Sequence, residues 1–433
     1  MSKSARASKS AAKGRTICAI DIGSSKICCV IARIQPKDDG SLLPGREHAI
    51  EVIGFGHVRS QGIKSGLVSD MNLAEDAIRN AVDLAERSAG VTVDQVLMNV
   101  SAGRVGSDTF SSSISLGGQD VTRSDIRTVL SAGREHAMSA GRTTLHALAI
   151  GYRLDGEAGI DDPLAMVGRE LGVDMHVVSA DEAPLRNLEG CINRSHLAVE
   201  TMVATPFASG LATLVQDEAQ LGCACIDMGG GATTVSIFLG GKLVFTDAVA
   251  VGGSHVTNDI ARGLGIGVAD AERLKVLHAT TDPARASDDE TVSVAGVGAD
   301  SLDHSQVVGM AQLARIAAPR VEETLELVRD RIVQSGFGGA IGRRLVMTGG
   351  ASQISGCQAT ATRIFNRDVR LGRPLGVSGL PQNAKGAPFS TVVGLLVYPQ
   401  HAVHDLAGSA SPFASTFSAL GLSRVGAWLK ASF

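Results

Sequence analysis

Short runs of β-branched and apolar residues alternate along this chain with stretches whose apolar positions recur at helical spacing. The runs 16–20, 27–34, 96–100, 224–227, 233–239, 242–250 and 344–348 predict strands. The stretches 73–89, 123–139, 269–277, 317–334 and 358–365 predict helices. In the fourth of these, Val321, Leu325, Val328 and Ile332 form one stripe, the face expected to enter a core. The segment 279–299 is polar and Asp-rich and reads as a surface loop. The stretch 401–411 is rich in Gly, Ala and Ser and reads as a flexible linker. Strands alternating with helices through most of the chain predict an α/β protein.

The 433 residues exceed what one simple core organises, so two to four subdomains are expected. Hydrophobic residues at 44% supply a large core, and aromatics at only 3% leave small side chains to do the packing. A net charge of −4 argues against a nucleic-acid partner. The first fifteen residues hold five basic residues and no acid, but nothing aromatic is interleaved and no apolar core of a signal peptide follows. Residues 1–14 therefore read as a disordered basic leader. The seven cysteines show no zinc-ligand spacing and mostly sit in apolar runs, which predicts buried, reduced thiols. No run approaches the roughly 18 apolar residues of a membrane span, so any membrane contact is peripheral.

Two short stretches carry the candidate chemistry. Ile20-Asp21-Ile22-Gly23-Ser24-Ser25-Lys26 and Ile226-Asp227-Met228-Gly229-Gly230-Gly231 each read as strand, tight Gly turn and second strand. A phosphate chain needs backbone N–H groups aimed into a small space, which Gly permits. A carboxylate at each strand end can hold Mg²⁺ through water, the role expected of Asp21 and Asp227. Hydroxyls of Ser24, Ser25, Thr233 and Thr234 and the charge of Lys26 complete the set. Either turn alone is equally a plain β-turn; two copies half a chain apart imply two related halves facing each other. The strand ending in Gly349-Gly350-Ala351 offers a flat turn for a base or ribose. Glu272 and Lys275, on one helical face at i, i+3, offer polar partners for it or a surface ion pair.

The order D-I-G-S-S-K, P-F-A-S-G-L, I-D-M-G-G-G-A-T-T, A-E-R-L-K and M-T-G-G-A-S resembles the actin, Hsp70 and sugar-kinase superfamily. The stretches from Gly66 to Glu86, N-V-S-A-G-R-V at 99–105, 178–195 and those from Ile226 and Val346 resemble the bacterial cell-division family FtsA. The resemblance spans about residues 15–402. It implies an actin-like two-lobed ATPase fold with a family-specific 1C subdomain in place of 1B, plus a C-terminal amphipathic helix. Subdomain 1A would comprise 15–91, 180–221 and 379–402; 1C, 92–179; 2A, 222–262 and 331–378; and 2B, 263–330. It implies ATP with Mg²⁺ as ligand and self-assembly. It also implies the C-terminal peptide of the tubulin-like protein FtsZ as partner of 2B, and later division proteins as partners of 1C. The expected location is the cytoplasmic face of the inner membrane at the division site. One departure concerns turnover: where actin-like proteins often place a water-orienting Gln, this chain has Thr201, so hydrolysis is expected to be slow. Alternatives are the pilus-assembly relative PilM, not expected to end in a membrane helix, and a superfamily sugar kinase, which would need a carboxylate base at a sugar pocket. An Hsp70-type chaperone would carry a substrate domain after the core.

Beyond a linker at 403–411, residues 412–433 have a different character. At about 100° per residue, Leu422, Val425, Trp428, Leu429 and Phe433 fall on one arc, and Arg424 and Lys430 on the other side. Phe417 and Leu420 form a stripe rotated from it. A basic, Trp-containing helix without acids suits an anionic membrane surface; the alternative is a terminal helix docked on the protein's own core.

Overall fold

The computed structural model describes residues 15–36, 43, 46–101, 104–136, 141–282, 286, 290–295 and 305–408. The basic leader and all membrane-helix residues proposed from the sequence, Phe417 to Phe433, lie outside them. No described helix is long and apolar enough to cross a membrane.

Two sheets organise the molecule. The first has six strands in the order Ala198–Ala204, Gln95–Val100, Arg15–Ile22, Lys26–Pro36, His48–Arg59 and Val377–Ser378. The second has five, ordered Lys242–Val249, Thr233–Leu239, Cys223–Met228, Arg344–Thr348 and Asp368–Leu371. In each, the aspartate-bearing strand pairs antiparallel with the strand after its glycine turn and parallel with a strand on its other side. The repeat seen in the sequence is thus a repeat of topology. Central strands such as Lys26–Pro36 are buried on both faces, so they read as unbroken apolar runs rather than alternating ones.

Helices cover the sheets for local reasons. Asp70 caps Met71–Ala89 by accepting from the amides of Asn72 and Leu73 at 2.9 and 3.0 Å. Gly90 ends the helix in the left-handed region at φ 66°. Ala74, Ala77, Ile78, Ala81, Val82 and Ala85 form its buried face. The helix Met310–Gln334 starts seven residues before the sequence expectation, because Met310, Leu313, Ala314 and Ala317 extend the buried stripe N-terminally past Pro319. Each large apolar side chain in such stripes contributes roughly 1.5–3 kcal/mol on burial.

A third, separate core belongs to an inserted unit: a four-stranded sheet ordered Gly106–Ser115, Glu170–Asp181, Arg142–Leu154 and Glu157–Ile160, backed by the helix Arg123–His136. All seven cysteines are free and buried, as their apolar surroundings predict.

Two segments differ from expectation. Within the supposed loop 279–299, Thr291–Ala295 is a strand paired antiparallel with Ser305–Gly309. Its alternation of Thr, Val, Ser, Val and Ala is a two-residue period hidden by the polar residues before it. Within the supposed linker, residues 402–408 form tight turns, and Asp405 and Leu406 are buried. Small residues there serve close packing rather than freedom.

Candidate functional site

The two glycine turns meet tip to tip. A Cβ added to Gly230 would lie 3.3 Å from Ser25 Cβ, and one on Gly231 would strike Ser24 Oγ. Each turn is closed by its own amide, Gly23 N–H donating to Lys26 O and Gly229 N–H to Ala232 O, both at 3.0 Å. Between them lies a narrow chamber of about 80 Å³. Asp21, Gly23, Ser24, Ser25, Lys26, Asp227, Gly229, Gly230, Gly231, Gly349 and Gly350 line it. It continues into a cleft of about 760 Å³ whose walls include Glu272, Lys275, Gly350 and Ala351. All but one of the candidate site residues named from the sequence therefore converge on one site.

The exception is Thr233. Its side chain is buried and donates to Val251 O at 2.8 Å, while Thr234, opposite Asp227 in the ladder, lines the chamber. Neighbouring residues on a strand point to opposite faces, so only one of this pair can share the face of Asp227. Thr201 is also displaced. It follows a bulge in the strand Ala198–Ala204 and donates to the adjacent Glu200 carbonyl at 2.8 Å. It is not among the chamber's lining residues; Thr205, at the first turn of the next helix, is.

The carboxylates are inequivalent. Asp227 Oδ2 accepts from Ser209 Oγ and from Thr391 Oγ1, the latter at 3.0 Å. Asp21 has no side-chain donor among the described residues. Burial pushes Asp21 up to about 6, opposed by Lys26 and reinforced by Asp227. Burial also raises Asp227, against its two hydroxyl donors and Lys26. Lys26 also lines the chamber, with Nζ donating to Pro388 O at 2.5 Å and lying 5.0 Å above the Phe389 ring. On the opposite wall, Lys275 Nζ donates to Glu272 Oε2 (2.7 Å), Thr257 Oγ1 (3.0 Å) and Gly253 O (3.2 Å). Gly349 has φ 87°, and a Cβ there would collide with Asp227 Oδ1.

The amides of Ser24, Ser25, Gly230 and Gly231 have no protein acceptor among the described residues. Unengaged donors around two buried carboxylates fit a polyphosphate with a divalent cation between them. Asn99, Thr205, Ser209 and Thr391 belong to this site by geometry and carried no individual signal in the sequence. Only tertiary contact brings them to it.

Residues 102–179 match the SHS2 domain inserted in FTSA, and residues 224–394 match the family Cell division protein FtsA. The Cell division protein FtsA of Rhizobium meliloti is 52% identical over 425 residues, covering 97% of this chain and 96% of that protein. The chain belongs to the FtsA family of cell division proteins. FtsA of Escherichia coli K12 is 28% identical over 428 residues, covering 97% and 98% of the two chains. Among solved structures, the PilM-PilN type IV pilus biogenesis complex superposes with a TM-score of 0.59 at 14% identity, covering 88% of this chain and 97% of that one. That likeness is of fold: the two-lobed actin-like α/β architecture with helices on both sheets.

Proposed function

We propose that this FtsA-family chain binds Mg²⁺·ATP between its two glycine-tipped hairpins. On this reading it is an adaptor that holds the FtsZ ring to the cytoplasmic face of the inner membrane at the division site. The observation that carries the nucleotide reading is the convergence of Asp21, Asp227 and the free amides of both turns on one chamber. Asp21 and Asp227 would hold the cation through water, and the turn amides with Ser24 and Ser25 would receive the phosphates. Gly349, Gly350 and Ala351 would pass under the nucleoside, with Glu272 and Lys275 beside it. The bound cation supplies charge neutralisation for the phosphates. Turnover is slow on this reading, since Thr205 and Thr201 are both too short to orient water as a glutamine would.

The remaining partners follow from family membership and sequence. Subdomain 2B, residues 263–330, would receive a short peptide such as the FtsZ C-terminus; Leu277 and Val307, outside the lining of the cleft, are more than half exposed there. The inserted unit would serve self-assembly and later division proteins. The tail 412–433 would bind anionic lipid reversibly, strengthened by assembly. Calorimetry of Gly350→Asp tests the nucleotide site. Gly350 has open space around its Cβ position, so a folded variant is expected, with Mg²⁺·ATP affinity lost to an added charge in the cleft. Wild-type affinity in that variant rules the site out. Sedimentation with anionic liposomes tests the tether: full-length protein co-sediments and Trp428→Glu stays soluble while still binding ATP.

A further inference from the structure

Two helices lead away from Asp227 and end at one buried carboxylate. Thr205–Thr213 carries Ser209, and Ser390–Val397 carries Thr391, both bonded to Asp227 Oδ2. The helices are pressed together at Gly394, where a Cβ would overlap the carbonyl oxygen of Ala208. So close a contact allows neither helix to slide alone. The first helix is preceded by its N-cap residue Ala204, whose amide donates to His146 Nε2 at 2.9 Å. The second ends against Tyr398, whose hydroxyl donates to Asp405 Oδ2 at 2.8 Å. His146 Nδ1 lies 2.5 Å from the same Asp405 oxygen and closes the circuit.

Asp405 is also held by the amides of Ala147 (2.9 Å) and Ala407 (3.1 Å) on its other oxygen. His146 stands on the strand Arg142–Leu154 of the inserted unit, and Leu406 and Ala407 pack into that unit's core. The last described segment of the chain is thus fastened to the inserted unit at the group that receives the amide of Ala204, the residue that caps the Thr205–Thr213 helix. The bonds assign the imidazole tautomer: Nε2 accepts, so Nδ1 carries the proton and donates to Asp405. Each carboxylate oxygen then has two donors. Lifting residues 399–408 from Tyr398 and the inserted unit would leave the histidine N–H and the tyrosine hydroxyl without partners in an apolar setting, so the network is all or none.

We propose that Asp405 is a latch coupling the segment that leads into residues 409–433 to the Asp227 wall of the cleft. Docking of residues 399–408 fixes the start of the Thr205–Thr213 helix through His146, and that helix positions Ser209 on Asp227. The coupling is reciprocal, as any linkage between two sites must be: an occupied cleft favours a docked segment, and a strained tail weakens nucleotide binding. This inference rests on the reading of the cleft as a nucleotide site.

The test uses the full-length chain. In Asp405→Asn the side-chain amide faces donors, and His146 relieves the conflict by moving its proton to Nε2, which then opposes the Ala204 amide. Hydrogen exchange at Ala204 and Thr205 should accelerate about tenfold or more without nucleotide. Affinity for Mg²⁺·ATP should fall about fivefold or more. Adding His146→Gln should then cause little further loss, since both changes cut one path. Tyr398→Phe removes a single donor and should shift both readouts less, in the same direction; it carries the test if Asp405→Asn does not fold. Wild-type exchange at 204–205 in these variants overturns the latch. Faster exchange with unchanged affinity overturns the coupling. A wild-type chain that binds no Mg²⁺·ATP overturns the nucleotide reading and the coupling with it, whatever the exchange shows.

Discussion

Asp21 and Asp227 occupy equivalent places in two copies of the same hairpin, yet their surroundings differ. Asp227 is tied by hydroxyls from two helices, Ser209 and Thr391, so its position belongs to the framework. Asp21 faces the chamber with Lys26 as its nearest counter-charge, and burial holds its carboxyl up at about 6. Topological repetition therefore does not repeat the chemistry. One copy supplies a fixed wall, and the other a carboxyl whose charge is costly unless a cation offsets it.

The sharpest way to break that contrast is to move the fixed wall. Gly349 combines φ 87° with contact against Asp227 Oδ1, so Gly349→Ala forces either the strand end or the carboxylate to shift. Loss of stability of about 2–4 kcal/mol is expected from combined backbone strain and overpacking, with nucleotide binding lost. Urea unfolding and calorimetry measure both. A variant with unchanged stability and affinity would show that the Asp227 wall is not fixed.

A smaller effect separates the carboxylates directly. Asp21→Asn removes a buried charge without breaking a side-chain hydrogen bond, and should stabilise the nucleotide-free protein at pH 7 by on the order of 1–3 kcal/mol. The same change at Asp227 disturbs the Ser209 and Thr391 bonds, so its gain should be smaller or reversed. Both variants should bind Mg²⁺·ATP more weakly. If Asp227→Asn proved the more stabilising of the two in denaturant titrations, the assigned roles would be exchanged.

How much of this could be read from the chain follows from the range of each signal. The glycine turns and their aspartates are local, carried by consecutive residues, and they were legible together with the two-fold repeat. The choice between Thr233 and Thr234 depends on strand register, and only the pairing of Asp227 with Thr234 decides it. Thr201 does not line the chamber, and Thr205, which does, is brought there only by the turn from the strand Ala198–Ala204 into the next helix. The stretch after His401 looked like a linker because composition does not record that Asp405 finds four donors, three of them from Tyr398, His146 and Ala147 on other segments. Ser209, Thr391 and Asn99 act only through contacts more than fifteen residues distant in sequence.

The smallest expected effect is a pH slope. Asp21 has a folded value of about 6 against an ordinary value of 3.8, so between these limits the folded chain binds the proton more tightly than the unfolded one. The contribution of its protonated form is fully present below the ordinary value and is lost as pH rises through about 6. One such group changes stability by at most about 1.4 kcal/mol per pH unit, downward with rising pH. Other titrating carboxylates add their own slopes, so the informative quantity is the difference between wild type and Asp21→Asn across pH 4–7. In the nucleotide-free protein that difference should grow with pH in favour of the variant and level off above about pH 6.5. Saturating Mg²⁺·ATP should shrink it at pH 7, because the cation favours the ionised carboxylate and wild type alone gains from it. A difference that stays flat with pH would mean that Asp21 is ionised throughout and solvated within the cleft. The asymmetry between the two hairpins would then lie in their hydrogen bonds alone.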